Sequence, residues 1–266
     1  MRRVFIPLLA IMVTIVATAQ HRAPQIIAHR GFHKTENAAK NSLNALRAAQ
    51  EAGFWGSECD INLSKDNELL VVHGAWHPKK SASPKVHVQH NTAAEIRAIP
   101  LESGERVPTL DEYLTAFRNS RGTKLIIEIK NHDTPERETE VVERVLAKVK
   151  SYDLEQSVEY IAFSKFVCAE LARLAPRGTK IAYLGSDISP ERCKEIGCTG
   201  IDYNITLLKL MPQWIRQAHE LGMSVNAWTV NSERNIRWCI KHGIDYITTD
   251  NPTLATDIIK NLPINR

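Results

Sequence analysis

Cysteine is scarce in this sequence and odd in number, with five residues among 266. An odd count excludes a framework in which every thiol is paired, and no spacing matches a zinc cluster. A Cys193–Cys198 disulfide is disfavoured because the residues between them resemble a helix end. We therefore expect most of the cysteines to be buried thiols: Cys59, Cys168, Cys193, Cys198 and Cys239.

Net charge and long apolar runs are also limited. The formal net charge is only +4. So small an excess argues against a nucleic-acid partner, because nucleic-acid-binding proteins usually present a dense positive surface. No segment after the first 19 residues approaches the ~20 apolar residues of a membrane-spanning helix. We therefore expect no stable membrane span in the mature chain.

The first 19 residues have the composition of a signal peptide. Arg2 and Arg3 form a basic start, residues 4–19 are almost entirely apolar, and Ala17-Thr18-Ala19 is a small-residue cleavage site. The apolar run is shorter than the ~20 residues of a membrane anchor, which disfavours that interpretation. The sequence thus predicts a signal peptide at 1–19 and an exported protein, periplasmic or secreted.

Strand-like and helix-like segments alternate along residues 20–266, which is the pattern of parallel β/α units. We count eight strands and predict an α/β fold, a single (β/α)8 TIM barrel domain of the usual length. The predicted strands are 25–29, 58–63 with an extension at 69–73, 124–130, 158–163, 180–184, 200–204, 224–229 and 245–248. Helices are predicted to begin at Ser42, at the capping box Thr109 to Glu112, and near Lys165, Ser189, Met211 and Ser232.

One long segment, about 75–106, interrupts the alternation after the second strand. It contains three prolines and follows His73 directly. Loops of this length are usually functional or disordered. We predict a short inserted segment in the barrel, and we expect its three histidines to be ordinary loop residues: His77, His87 and His90.

Three carboxylates lie on predicted neighbouring strands. Glu58 and Asp60 share one face of their strand because side chains alternate. Glu128 lies within an apolar strand, where a carboxylate needs a partner. Close carboxylates repel each other unless a cation lies between them. The set predicts a site for Mg²⁺ or Ca²⁺, which prefer oxygen ligands.

Cationic and aromatic residues lie at the same strand ends. Arg30 follows the first strand and Lys130 ends the third, where both can hold the non-bridging oxygens of a phosphate. Trp228 ends a late strand and is a candidate wall for the organic part of a substrate. Tyr203 and Phe163 are expected in the core.

The order of these motifs resembles the glycerophosphodiester phosphodiesterase family. The matching pieces are His29-Arg30-Gly31, Glu58-Cys59-Asp60, His73, Glu128-Ile129-Lys130, the segment from Val107 to Leu110, the segment from Asn226 to Asn231, and the segment from Thr248 to Pro252. Each motif alone is weak, whereas their order and spacing together are specific.

The resemblance implies metal-dependent hydrolysis of a small glycerophosphodiester to glycerol 3-phosphate and an alcohol. It also implies that His29 and His73 act as general acid and base, without deciding which is which. The nucleophile is either water or the glycerol 2-hydroxyl. Two alternatives are a related phospholipid phosphodiesterase and a barrel that only binds head groups.

Two positions depart from the family pattern. The family usually has Pro-Glu-Asn-Thr before the first helix, and this chain does not. The counterpart of that segment is either Glu36-Asn37 or Lys40-Asn41. Ser42 is a good N-cap for the following apolar helix, which favours the second alignment and leaves Glu36 without a metal role. The family also commonly has Asp after the second histidine, where this chain has Gly74.

Overall fold

Eight parallel strands close into a barrel in this computed structural model, which describes residues 23–78, 85–120 and 122–262. The first strand pairs with both the second and the last, and this pairing closes the sheet. The TIM-barrel prediction is confirmed. The barrel strands are β1 (Gln25–Ala28), β2 (Gly56–Leu63), β6 (Lys124–Ile129), β7 (Val158–Ala162), β8 (Ile181–Tyr183), β9 (Gly200–Asn204), β10 (Ser224–Trp228) and β11 (Tyr246–Thr249). The predicted signal peptide lies outside the described residues.

Alternation along the strands divides the apolar residues between two cores. Side chains that face outward from the barrel pack against the helices in one large core. Leu125 and Ile127 are two of its buried residues. The barrel interior holds a smaller cluster of Ile27, Ile126, Ile161 and Leu184. The five cysteines are buried free thiols, as expected.

Two of the predicted helix starts are side-chain caps in the structure. Ser42 caps α1 (Leu43–Glu51), and Thr109 with Glu112 forms the predicted capping box of α3 (Leu110–Phe117). Three helices outside the insertion were not predicted: α4 (Pro135–Ser151), α7 (Ile205–Leu210) and α10 (Pro252–Lys260). The Asn204 side chain caps α7 by accepting from Thr206 N–H. The helices outside the insertion are α1 (Leu43–Glu51), α3 (Leu110–Phe117), α4 (Pro135–Ser151), α5 (Lys165–Leu174), α6 (Pro190–Ile196), α7 (Ile205–Leu210), α8 (Gln213–Glu220), α9 (Glu233–Lys241) and α10 (Pro252–Lys260). Within the described ranges, none of the helices is long and apolar enough to cross a membrane.

The segment after β2 forms a small layer beside the barrel. Its strand β3 (Leu69–Val71) runs antiparallel to β2, and β4 (Trp76–His77) pairs with β5 (Val86–His87). Ile96, on α2 (Ala93–Arg97), packs against Leu70 and Val88 in a separate core. His77 is buried and bonds the Ile99 carbonyl oxygen at 2.9 Å, so it stabilises this layer.

Candidate active site

One pocket of about 110 Å³ opens at the carboxyl ends of the barrel strands. Asp60 and Lys130 lie beside it, joined to its lining by ion pairs. All eight predicted site residues are therefore brought together. The predicted residues that line the pocket are His29, Arg30, Glu58, His73, Glu128 and Trp228.

The three carboxylates form a buried cluster whose ligand oxygens lie within 4.8 Å of one another. The register of β2 and β6 places Asp60 directly opposite Glu128. Glu58 Oε1 has no hydrogen-bond partner among the described residues. A hard divalent cation fits this donor set, because it accepts several carboxylate oxygens at once.

Electrostatics within the cluster are uneven. Burial raises the pKa of Glu58 well above its usual value, and the charges of Asp60 and Glu128 add to that rise. Burial and Asp60 likewise raise the pKa of Glu128 to about 7. Burial also opposes ionisation of Asp60, but Lys130 and Arg30 together lower the pKa of that carboxyl. Asp60 is thus the most readily ionised of the three.

A tight turn after β1 delivers Arg30 to the cluster. Arg30 has a φ of +57°, and its backbone N–H donates to Glu58 Oε2 at 2.8 Å. Its Nε lies 3.1 Å from Asp60 Oδ2. Gly31 is required next, because a Cβ there would lie 2.7 Å from the Ala45 carbonyl carbon. The His29-Arg30-Gly31 motif is therefore a backbone geometry as well as a set of side chains.

Lys130 supplies the second buried cation. Its Nζ bonds Glu128 Oε1 and lies 3.3 Å from Asp60 Oδ1. Burial opposes the charge, but Asp60 and Glu128 outweigh it and raise the pKa of Lys130. Two permanent positive charges thus flank the carboxylates where an anionic ligand would enter.

His29 is oriented by Asp250, which follows the last barrel strand. His29 Nδ1 lies 2.8 Å from Asp250 Oδ1. Burial would raise the pKa of Asp250, but hydrogen bonds from His29 and His33 lower it strongly. An ionised carboxylate only accepts, so Nδ1 carries the proton and Nε2 keeps a lone pair. Burial lowers the pKa of His29 and favours this neutral form.

Sequence reasoning missed several residues that hold this arrangement. Asn231 donates from Nδ2 to Asp250 Oδ2 at 2.9 Å. His33 Nε2 also lies 3.0 Å from Asp250 Oδ1, so this imidazole is held in place. The available signal was positional, because Asp250 directly follows the last barrel strand and belongs to a family motif.

The segment before α1 enters the site as the Ser42 alignment predicts. Asn41 Nδ2 donates to Asp60 Oδ2 at 2.8 Å, and Asn41 Oδ1 accepts from Asp60 N–H at 3.2 Å. Lys40 Nζ lies 3.5 Å from Asp250 Oδ1, whereas Glu36 is exposed. At Gly74, a Cβ would approach Trp76 O to 3.3 Å, so a side chain there would be crowded.

The far side of the pocket is aromatic. Trp228 Nε1 donates to the Asp202 carbonyl oxygen at 2.8 Å, and its ring meets Phe163 edge-on at 5.5 Å. Phe163 is 37% exposed, so the prediction that it belongs to the core is wrong, while Tyr203 is fully buried. His73 lines the same pocket, and its imidazole, when protonated, helps to lower the pKa of Asp60.

Comparisons with known proteins agree with this geometry. The model of the Glycerophosphoryl diester phosphodiesterase family matches residues 29–254. A glycerophosphodiester phosphodiesterase of Bacillus altitudinis is 28% identical over 88% of this chain and 97% of its own.

Solved structures agree as well. A crystal structure of a glycerophosphodiester phosphodiesterase from Parabacteroides distasonis superposes with a TM-score of 0.85 at 37% identity, covering 90% of this chain and 97% of that one. An Oleispira antarctica phosphodiesterase, solved with the product sn-glycerol-3-phosphate, shares the fold at 22% identity and a TM-score of 0.78, covering 90% of this chain and 98% of that one. The chain therefore belongs to the glycerophosphodiester phosphodiesterase family, a family of phosphoric diester hydrolases.

Proposed function

We propose that this protein hydrolyses glycerophosphodiesters to sn-glycerol 3-phosphate and an alcohol, with a divalent metal held by Glu58, Asp60 and Glu128. The observation that carries the proposal is the buried carboxylate cluster beside two buried cations. Mg²⁺ and Ca²⁺ are the proposed ions because every donor is an oxygen. The Oleispira relative, which holds sn-glycerol-3-phosphate, supports the substrate class.

Neutralisation of the negative charge on the phosphate is the first requirement of the reaction. A bound divalent ion would supply Lewis-acid stabilisation of phosphate oxygens. Arg30 and Lys130 would hold the non-bridging oxygens, Arg30 through its planar fork and Lys130 as a point charge. Both cations already face the cluster and need no large rearrangement.

Proton transfer is the second requirement. His29 would accept the proton of the attacking oxygen at Nε2, while Asp250 stabilises the resulting imidazolium through Nδ1–H. His73 would donate a proton to the alcohol oxygen as its bond to phosphorus breaks. In the products, the water oxygen is bonded to phosphorus in sn-glycerol 3-phosphate. The bond from phosphorus to the alcohol oxygen is broken, and the alcohol carries the proton from His73.

The experiment is hydrolysis of glycerophosphocholine by the purified protein. The release of sn-glycerol 3-phosphate is monitored by ³¹P NMR. Chelator-treated protein is compared with the same sample after addition of Mg²⁺ or Ca²⁺. Turnover restored by either ion supports the proposal. Turnover confined to lysophospholipids favours the related phospholipid phosphodiesterase. Ligand binding without turnover of any diester favours the head-group-binding barrel and contradicts the proposal.

We propose also that residues 1–19 direct export and are removed. The basic start, apolar run and small-residue site support this interpretation. Expression of the full chain in a Gram-negative host, followed by fractionation and N-terminal sequencing, tests it. We expect periplasmic protein that begins at Gln20, and cytoplasmic protein that begins at Met1 would contradict export.

A further inference from the structure

Asp202 is a buried carboxyl for which the proposed proton transfers have no use. It lies on the inner face of β9 and is only 1% exposed. Its Oδ1 has no hydrogen-bond partner among the described residues. It nevertheless lines the pocket that contains His29, Arg30 and Glu128. Buried polar atoms are usually hydrogen-bonded, so an unpaired buried oxygen at a pocket is a candidate binding group.

The surroundings of Asp202 are mainly apolar. Ile161 and Leu184 line the same pocket, and Trp228 closes the wall by donating to the backbone oxygen of Asp202. Burial raises the pKa of Asp202 well above its usual value and so favours the neutral carboxyl, against a hydrogen bond with Asn226 that lowers the pKa in part. A neutral carboxyl both donates and accepts, which matches a hydroxyl group.

The amide of Asn226 lies beside the Asp202 carboxyl and forms a side-chain hydrogen bond with it. Asn226 donates from Nδ2 to Thr248 Oγ1 at 2.9 Å, and its own Oδ1 also has no partner among the described residues. The two unpaired oxygens lie on neighbouring strands, because Asp202 pairs in register with Asn226. The barrel therefore presents a polar spot opposite the carboxylate cluster.

We infer that Asp202 binds a hydroxyl group of the glycerol part of the substrate, an inference that rests on the proposed function. With the phosphate held by Arg30 and Lys130, the glycerol carbons would lie against Ile161 and Trp228. The pocket, at about 110 Å³, suits this small constant part of the substrate, whereas head groups of varied size require the open mouth. Asp202 thus selects phosphates that carry a hydroxylated three-carbon chain.

Calorimetric binding of two ligands tests the inference without needing turnover. The ligands are sn-glycerol 3-phosphate and n-propyl phosphate, which differ only in the two hydroxyl groups. We expect the unmodified protein to bind glycerol 3-phosphate roughly 10- to 100-fold more tightly, because sites built to bond a hydroxyl reject analogues that lack it. A preference below about threefold in the unmodified protein overturns the inference, whatever the variants do.

Variants assign the preference to Asp202. Asp202→Leu should reduce the preference for glycerol 3-phosphate to within about threefold, because it weakens binding of glycerol 3-phosphate alone. Asp202→Asn keeps a donor and an acceptor and should retain most of the preference. Asp202→Ala serves the same purpose if Asp202→Leu folds poorly by circular dichroism. The matched control is Glu159→Gln, which removes a carboxyl from the inner face of β7 outside this pocket and should leave the preference unchanged.

The remaining outcomes are distinct. Equal losses for both ligands in Asp202→Leu, or an unchanged preference, would mean that Asp202 is structural or satisfied by water in the small cavity of about 30 Å³ that it also borders. Binding of neither ligand by the unmodified protein, together with no hydrolysis of glycerophosphocholine, would count against the proposed function itself.

Discussion

At the scale of single residues, the site depends on the hydrogen-bond partner that positions each side chain. His29 and Asp60 are each fixed by a partner far away in sequence, His29 by Asp250 and Asp60 by Asn41. These partners set protonation states as well as positions. The ionised Asp250 fixes the tautomer of His29, and Asn41 bonds the carboxylate that ionises most readily.

Replacing either proposed catalytic histidine should slow turnover without abolishing metal binding. Positioned proton transfer typically contributes 10²- to 10⁴-fold, so His29→Ala and His73→Ala should each lower kcat by roughly that factor. A nitrophenyl diester should rescue His73→Ala, since its leaving group needs little protonation, but it should not rescue His29→Ala. Near-normal rates of both variants on glycerophosphocholine would remove the pair from the mechanism.

Asp250→Asn tests the orientation of His29. The Asn amide carries no negative charge and can also donate a hydrogen bond. The His29 imidazole therefore loses its fixed tautomer, and its protonated form loses the stabilising charge of the carboxylate. We expect kcat to fall roughly 10²- to 10⁴-fold, with KM little changed. Asp257→Asn, at an exposed position of α10, is the control and should behave as the unmodified protein. An Asp250→Asn variant with normal kcat would show that His29 works without this partner.

At the scale of elements, the ends of separate strands build the site. His132 links two of them: its Nε2 accepts from Leu63 N–H at 3.1 Å, and its Nδ1 donates to the Lys130 carbonyl oxygen at 2.8 Å. The end of β2 and the end of β6 are thereby fixed beside the carboxylate cluster. The sequence alone did not identify this residue.

His132 should make stability depend on pH. Burial lowers its pKa to about 4, whereas the unfolded imidazole titrates near 6.5. Between these values the unfolded state binds a proton that the folded state does not, so stability falls as pH falls from about 6.5 to 4. The contribution reaches about 3 kcal/mol at the acid end. Urea unfolding of His132→Gln and the unmodified protein at pH 7 and pH 4.5 measures it.

The variant should be the less stable protein at pH 7, because it loses bonds to β2 and β6. Its disadvantage should shrink by about 2–3 kcal/mol at pH 4.5, since it lacks the group that the folded state keeps neutral. A stability difference that stays constant across this range would contradict the linkage.

The inserted layer should govern the choice of head group. Trp76 is 54% exposed and follows His73 by three residues. Replacing 76–87 by a short Gly-Ser linker keeps His73 and leaves α2, with Ile96, over Leu70. We expect relative kcat/KM values across choline, ethanolamine and glycerol diesters to change, with little effect on a methyl nitrophenyl diester. Equal losses on every substrate would instead indicate a structural role.

At the scale of the whole molecule, the barrel and the metal should stabilise each other. The three carboxylates come from β2 and β6, and their mutual repulsion weakens when a cation binds. A ligand that binds only the folded state adds about 2.7 kcal/mol at 100 times its Kd. Mg²⁺ or Ca²⁺ should therefore raise the Tm of chelator-treated protein by several degrees and restore activity. Glu128→Gln should lose most of this rise, and full activity in a metal-free preparation would contradict a metal role.

The sequence by itself determined the architecture and most of the residues of the candidate site. Period-two strands, capped helices and glycine stops specify local structure through short-range physics, so the eight barrel strands could be placed from them. The carboxylates and cations were found for the same reason: they lie at strand ends, and parallel strands bring their carboxyl ends to one face.

Only the tertiary structure decided how those groups are held. Asp250 reaches His29 across 221 residues because β11 pairs with β1 when the barrel closes. Within the described part of the chain, Asp202 Oδ1 has no hydrogen-bond partner because of what surrounds β9 in space, and the residues next to Asp202 in sequence do not indicate this. Contacts of this kind depend on closure and packing of the whole chain, which local periodicity and capping do not encode.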